Sequence, residues 1–301
     1  MKIAVTGANG YIGRYVLPLL VARGHEVLAI SNRVDQTDEA GLRWLEADLL
    51  DTEACRRVMI ENRSEGLLHL AWYAEHGKFW TAPENFAWMQ TTSCLLEAFR
   101  DAGGRRAVLA GTCAEYDWSY GYCVEDKTPL APRSIYGKCK DETRQFAEAF
   151  CQANGIGFAW ARIFFPYGPG EPEARLLPSV LRSLCLGQPV KCSHGRQFRD
   201  FIHVSDAAAA LTHLLVTSQK NGAFNIASGE PMRLGALVQL CANHFPEALP
   251  IEFGAVPVAA DDPPMLVGSA EKLLESGWCP QISVDEGIAR YVKHYVDLLR
   301  G

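Results

Sequence analysis

Nowhere in the 301 residues does the sequence approach the roughly 18 uncharged apolar residues that a membrane span needs, so no membrane association is expected. It also lacks any basic run interleaved with aromatics, and its formal net charge of −6 is modest. No nucleic-acid partner is expected, and the partners should be small molecules. The ten cysteines, at 55, 94, 113, 123, 139, 151, 185, 192, 241 and 279, form no C-x-x-C and no close Cys/His cluster. They read as reduced, packed thiols, and no metal site is expected. The start "MKIAVTGANG" runs straight into a strand and glycine loop instead of a signal peptide, which makes the expected location cytoplasmic. There is no internal repeat or low-complexity linker. With 48% hydrophobic residues the chain can bury one large core or two intimately joined ones, which excludes a disordered or fibrous class.

What is present is an alternation of short β-branched runs with longer helical patterns. Strands are expected at Lys2–Thr6, Glu26–Ser31, Gly66–Ala71, Ala107–Gly111 and Phe158–Ile163. Helices are expected near Ile12–Arg23, Ala54–Asn62, Phe86–Ala102 and Gly137–Ala153. This pattern predicts a doubly wound parallel α/β sheet. After Phe165 the texture becomes "PYGPGEPEARLLP", which ends the alternation and opens a smaller α/β region. The segments "RDFIHVSDAAAALTHLL" and "GAFNIAS" look like a helix and strand returning to the sheet. The expected division is therefore residues 1–165 plus about 203–227 for one domain, and about 166–202 and 228–301 for a substrate-binding one.

In "TGANGYIG", Gly7, Gly10 and Gly13 follow a strand and open a helix. That spacing supplies a tight turn, close backbone approach to a pyrophosphate and tight helix–strand packing, with the helix N-terminus favouring negative charge. The next strand ends "AISNRVDQ". Ser31 stands where an NAD site would place an acid for the ribose 2′-hydroxyl, and Arg33 can pair with a 2′-phosphate. NADP is the expected cofactor, with NAD possible if Asp35 is the ribose ligand. Asp48, in "EADLLD", can accept from an adenine amino group, with helix capping by Asp48 or Asp51 as the alternative. Further on, Tyr136 and Lys140 form Y-x-x-x-K, whose i, i+4 spacing on a helix puts both on one face. A neighbouring ammonium would lower the pKa of the tyrosine hydroxyl, making it a usable acid or base. Thr112 ends a strand where ligands bind in such sheets and can hydrogen-bond the reacting oxygen.

With these motifs in place, the sequence resembles the extended short-chain dehydrogenase/reductase family, in its NAD(P)-dependent nucleotide-sugar epimerase/dehydratase/reductase branch. "TGANGYIG", "ADLLD", "LLHLAW", "GTCAEY", "YGKCK", "RIFFPYGP", "GRQFRDFIHVSD" and "NIASGEP" occur in that family's order. The resemblance implies a Rossmann sheet and a catalytic Thr112, Tyr136 and Lys140. Tyr136 would exchange the substrate proton, and Lys140 would also hold the nicotinamide ribose. It places the dinucleotide along Gly7, Asn9, Gly10, Tyr11, Ile12 and Gly13, then Asn32 and Arg33, Asp48 and Leu49, and Leu70, Ala71 and Trp72, besides Tyr136 and Lys140. Arg199 matches the arginine that contacts the nucleotide diphosphate. The substrate would lie against Trp72, His76, Cys113, Arg175 and Arg199, with Tyr73, Lys78, Trp80 and the 191–194 segment as further candidates. Simple packing is the alternative for each aromatic residue. The helices 86–102 and 137–153 correspond to those of the family's four-helix homodimer interface, although Leu95, Leu96, Phe146 and Phe150 could equally be core.

Departures from the family pattern narrow the reaction. The Asp-Glu pair of the 4,6-dehydratases is Cys113 and Ala114 here, which disfavours dehydration. The Cys and His used by GDP-fucose synthases for epimerisation fall at Ala114 and Arg175. Two asparagines of the family pattern are Phe165 and Trp88. The expectation is an NADP-dependent reductase of a nucleotide-linked 4-keto-6-deoxy sugar. A redox-neutral 4-epimerase with bound NAD is the alternative, and a non-catalytic dinucleotide-binding scaffold is a third reading.

Overall fold

The β-branched runs pair as a parallel sheet. In a computed structural model, which describes residues 1–247, 249–259 and 261–300, the first half runs β1 (Lys2–Thr6), α1 (Gly13–Ala22), β2 (Glu26–Ser31), β3 (Leu42–Glu46), α2 (Thr52–Asn62), β4 (Gly66–His69), α3 (Glu84–Asp101) and β5 (Arg106–Thr112). It continues through β6 (Tyr122–Cys123), α4 (Ile135–Ala153), β7 (Gly157–Ile163), β8 (Phe165–Tyr167), α5 (Leu176–Cys185), β9 (Lys191–Cys192), β10 (Phe198–His203) and α6 (Val204–Val216). The last elements are β11 (Gly222–Ile226), β12 (Pro231–Arg233), α7 (Leu234–Ala242), β13 (Glu252–Phe253), β14 (Met265–Gly268), α8 (Glu271–Leu274) and α9 (Val284–Arg300).

The main sheet has the order β11-β7-β5-β4-β1-β2-β3, and every neighbouring pair is parallel. This is a doubly wound Rossmann sheet. Its order reverses between β1 and β4, and the crevice at the carboxyl ends of those strands is where such sheets take ligands. One face is closed by α1 and α6 through Val16, Leu20, Leu211 and Leu214. The other carries Leu95, Leu96 and Phe99 of α3 with Leu28, Leu67 and Phe158. Leu95 and Leu96 are therefore core residues, whereas Phe146 on α4 and Phe86 on α3 are exposed.

A second sheet, β12-β10-β14-β6 with β8 beside β10, is backed by a separate apolar cluster that includes Leu177, Leu181, Leu237, Ile288 and Tyr291. The "RDFIH" part of the segment read as a returning helix is instead strand β10 of this sheet, and the helix begins at Val204. β4 also stops earlier than the expected Ala71, at His69. His69 turns its ring into the core between Thr6 and Thr92. The chain then crosses above Gly7, with the Ala71 amide on Thr6 Oγ1.

The glycine turn depends on close backbone approach. A Cβ on Gly13 would meet Gly7 O and lie 2.6 Å from Ala8 O, both of them backbone atoms that cannot yield. Gly13→Ala is expected to cost about 1–3 kcal/mol, the usual cost of overpacking, read as a lower urea midpoint at unchanged slope.

Candidate active site

Gly7 takes φ +67°, and a Cβ there would sit 2.8 Å from Ala71 N, so the turn can pass beneath the end of β4 only as glycine. At Gly10 a Cβ would touch only Gly7 backbone within 4 Å, which leaves its outer side open to a ligand. The first turn of α1 has no acidic residue, and Ile12 at its N-cap supplies no side-chain acceptor. An open glycine cradle ahead of an uncapped helix N-terminus fits a dinucleotide pyrophosphate. Tyr11 anchors the loop by donating from its hydroxyl to Gly168 O at 3.3 Å.

At the end of β2, Ser31 is half-buried, and the Arg33 side chain is 78% exposed with Nε 3.0 Å from Asp35 Oδ2. The loop folds back onto the glycine turn, since Asn9 donates to Arg33 O and Gln36 donates to Asn9 Oδ1. Asn32 is exposed beside it. Asp35, the alternative ribose ligand, is thus engaged by Arg33. Asp51, not Asp48, caps α2, accepting from the amides of Glu53 and Ala54, while exposed Asp48 accepts only a local bond from Leu50 N. The Leu49 side chain is committed to core packing. Leu70 and Ala71 form the roof above Gly7.

Thr112 ends β5, and Ser134 caps α4 through Gly137 N, which brings Tyr136 and Lys140 onto the helix face that looks at that strand end. The Thr112 hydroxyl stands beside the Tyr136 phenol. Burial pushes that phenol well above the usual tyrosine range. The nearby Thr112 hydroxyl and the positive charge of Arg175 oppose the rise. Lys140, 4% exposed, donates from Nζ to Ala110 O at 2.8 Å and lies 3.7 Å from the centre of the Trp72 ring. Burial lowers its ammonium to about 7, so the charge that would activate the tyrosine is held against desolvation. Edge-on contacts from Phe79 and Trp80 flank the phenol, and Tyr136 N donates to Trp80 O.

The remaining candidates separate. Arg175 stands at the N-cap of α5, donates to Pro166 O and is 3.7 Å from Glu171, with its charge felt by both Tyr136 and His76. His76 is exposed, and Lys78 is paired with Glu75 at the surface. Cys113 is buried among Tyr116, Cys123 and Phe164, and burial pushes its thiol up, so it packs next to the phenol as an inert group. Arg199 is 6% exposed and already holds Asp262 at 2.5 Å and the carbonyls of Phe198 and Pro263. A diphosphate there must compete with Asp262.

Sequence reasoning missed Glu115. It is fully buried and accepts from Thr112 N at 2.8 Å, Trp160 Nε1 at 2.9 Å and Arg162 Nε at 2.7 Å. An ionisable pair inside a sheet core has no periodicity to betray it. The readable signal was a glutamate three residues after Thr112, the capping-box spacing that the turn in fact uses.

The family model of the NAD dependent epimerase/dehydratase family matches residues 3–227. The chain belongs to this family. It is thereby an enzyme of the extended short-chain dehydrogenase/reductase type. Among curated relatives, the UDP-glucose 4-epimerase of Corynebacterium glutamicum is 28% identical over 93% of this chain and 91% of its own. The dTDP-6-deoxy-L-talose 4-dehydrogenase (NAD(+)) of Aggregatibacter actinomycetemcomitans is also 28% identical, over 79% of this chain and 88% of its own. A UDP-glucose 4-epimerase from Thermus thermophilus, solved in complex with NAD, superimposes with a TM-score of 0.84 at 25% identity, covering 98% of this chain and 99% of its own. The family is NAD-dependent.

Removing one partner of a buried pair strands the other charge. Glu115→Ala is expected to lose about 3–5 kcal/mol in urea unfolding, leaving Arg162 uncompensated. The contrasting variant Glu61→Ala, an exposed helix position, should stay within about 0.5 kcal/mol of wild type.

Proposed function

We propose that this family member is an NADP-dependent reductase of a nucleotide-linked 4-keto-6-deoxy sugar. The observation that carries the proposal is the end of β2, where Ser31, Asn32 and an exposed Arg33 occupy the place of a ribose-binding acid. A reductase must exchange its cofactor at every turnover, and a 2′-phosphate recognised by Arg33 suits NADPH.

Thr112 and Tyr136 would both hydrogen-bond the substrate carbonyl oxygen. When bound, the reduced nicotinamide supplies hydride to the carbonyl carbon. Tyr136 gives its phenolic proton to the oxygen as the C=O bond becomes C–OH, and the resulting phenolate is held by Thr112, the Lys140 ammonium and the Arg175 charge before solvent returns the proton. Lys140 would also donate to the nicotinamide ribose. The sugar would lie against Trp72, Phe79, Trp80 and Arg175, and the diphosphate against Arg199. The smaller region around β10 and α5 would then be the substrate-binding domain. The exposed Phe86 and Phe146 would lie in a homodimer interface formed by α3 and α4.

A redox-neutral 4-epimerase is the second reading, favoured by the likeness to the UDP-glucose 4-epimerases. Absorbance at 340 nm separates the two. Stoichiometric loss of NADPH with a CDP-, GDP- or dTDP-linked 4-keto-6-deoxy sugar is expected. Isomerised UDP-glucose without net NADPH consumption would move the assignment to the epimerase. Tyr136→Phe should lower turnover by about 10²–10⁴-fold while NADPH binding, followed by fluorescence, is retained. A scaffold would have no turnover to lose.

A further inference from the structure

Lys140 is a buried ammonium without a carboxylate partner of its own. The carboxylate whose charge reaches it, Glu115, is already committed to Arg162, Trp160 and the Thr112 amide. Its other titratable neighbour is His69 of β4, which cannot compensate either. There Thr6 donates to Nδ1, Nε2 donates to Thr92, and burial takes the ring down to about 3, so it is neutral. On Lys140's own helix stands Tyr136, itself protonated by burial. The bond to Ala110 O satisfies one N–H of the amine.

The remaining contact is Trp72, whose ring centre is 3.7 Å from Nζ. That ring is held on several sides. Its Nε1 donates to Asn85 Oδ1 at 2.8 Å, and fully buried Asn85 is locked in turn by donating to Phe79 O and Ala82 O. Trp88 stacks near it at 6.3 Å with an interplanar angle of 27°. An ammonium over the face of a fixed indole, shielded from water, is the arrangement in which a cation–π attraction is strongest.

We propose that Trp72 is a positioning residue whose indole face keeps the Lys140 ammonium charged at neutral pH in place of a carboxylate. A π face stabilises the cation without offering an acceptor for its protons. The lysine therefore stays charged while an N–H remains free for a ribose hydroxyl, whereas a carboxylate partner would occupy it. The proposal is independent of whether the chain reduces or epimerises its substrate.

The test uses the whole protein labelled with ¹³Cε-lysine, with the Lys140 signal identified by its loss in Lys140→Met, and follows that signal against pH. Trp72→Leu is expected to lower the Lys140 midpoint by about one pH unit, within the range of a desolvated cation–π contact, and Trp72→Phe by less. In the same variants, NADH and NADPH binding followed by fluorescence should weaken selectively on the alkaline side, because the bound form requires the ammonium. A Lys140 midpoint unmoved in both variants, or an affinity loss of equal factor at every pH, would overturn the proposal and leave Trp72 as packing. Should Trp72→Leu fail to fold by near-UV circular dichroism, Trp72→Phe and Trp72→Tyr decide it by the same shift or its absence.

Discussion

Everything at this site hangs from one buried ion pair, Glu115 with Arg162. Glu115 follows β5 and Arg162 lies on β7, the neighbouring strand, so the pair closes the sheet's carboxyl edge where the chemistry is placed. Glu115 takes three donors at once, so the desolvation cost of a carboxylate is offset by hydrogen bonds as well as charge. The arrangement also dictates its surroundings. A Cβ on Gly111 would collide with Trp160 Nε1 and stand 2.7 Å from Glu115 Oε1, so that strand position admits only glycine. A hydrophobic pair of equal volume could stabilise the sheet as well, but it could not accept the Thr112 amide and so fix the turn that presents the Thr112 hydroxyl.

The same network reaches the smaller sheet. Arg162 donates to Tyr116, the Tyr116 hydroxyl donates to Asn225 at the end of β11, and Asn225 in turn donates to the carbonyls of Cys123 and Ser269. Asp200, beside Arg199, repeats the device on the other side of β10. It is fully buried, accepts from Ser228, Gly229 and Gly268, and is nonetheless raised to about 6 because burial outweighs its donors. The two sheets are thus joined by polar groups with directional demands as well as by apolar contact. That suits a crevice whose walls must keep their spacing while small molecules enter and leave.

Where local chemistry alone decides an outcome, the sequence could be read closely. β1 and β2 fall where alternation put them, and the glycine turn has the geometry its spacing implied. The departures come from tertiary partners. β4 ends early because His69 is drawn between Thr6 and Thr92, and "RDFIH" becomes a strand because β8, β12 and β14 are there to pair with it. Thr112, Tyr136 and Lys140 do converge, yet the charges around them were not legible. Glu115 is seen by Lys140 only because β5 turns back through a capping box, and Arg175 reaches the phenol from a helix N-cap well downstream in the chain.

Proton placement bears on the direction of chemistry. Burial keeps the Tyr136 phenol protonated at neutral pH in the free protein, which equips it to give a proton. Reduction of a carbonyl uses that proton as hydride reaches the carbon. Oxidation of a sugar hydroxyl, the opening half of 4-epimerisation, needs the phenolate instead, and so needs positive charge to accumulate around the ring before the substrate reacts. Of the two cations at hand, Arg175 is half-exposed and partly screened, while burial brings Lys140 down to about 7. The proposed reduction would draw on the protonated phenol directly, whereas the oxidative half of an epimerisation would rely on the lysine being held in its charged form.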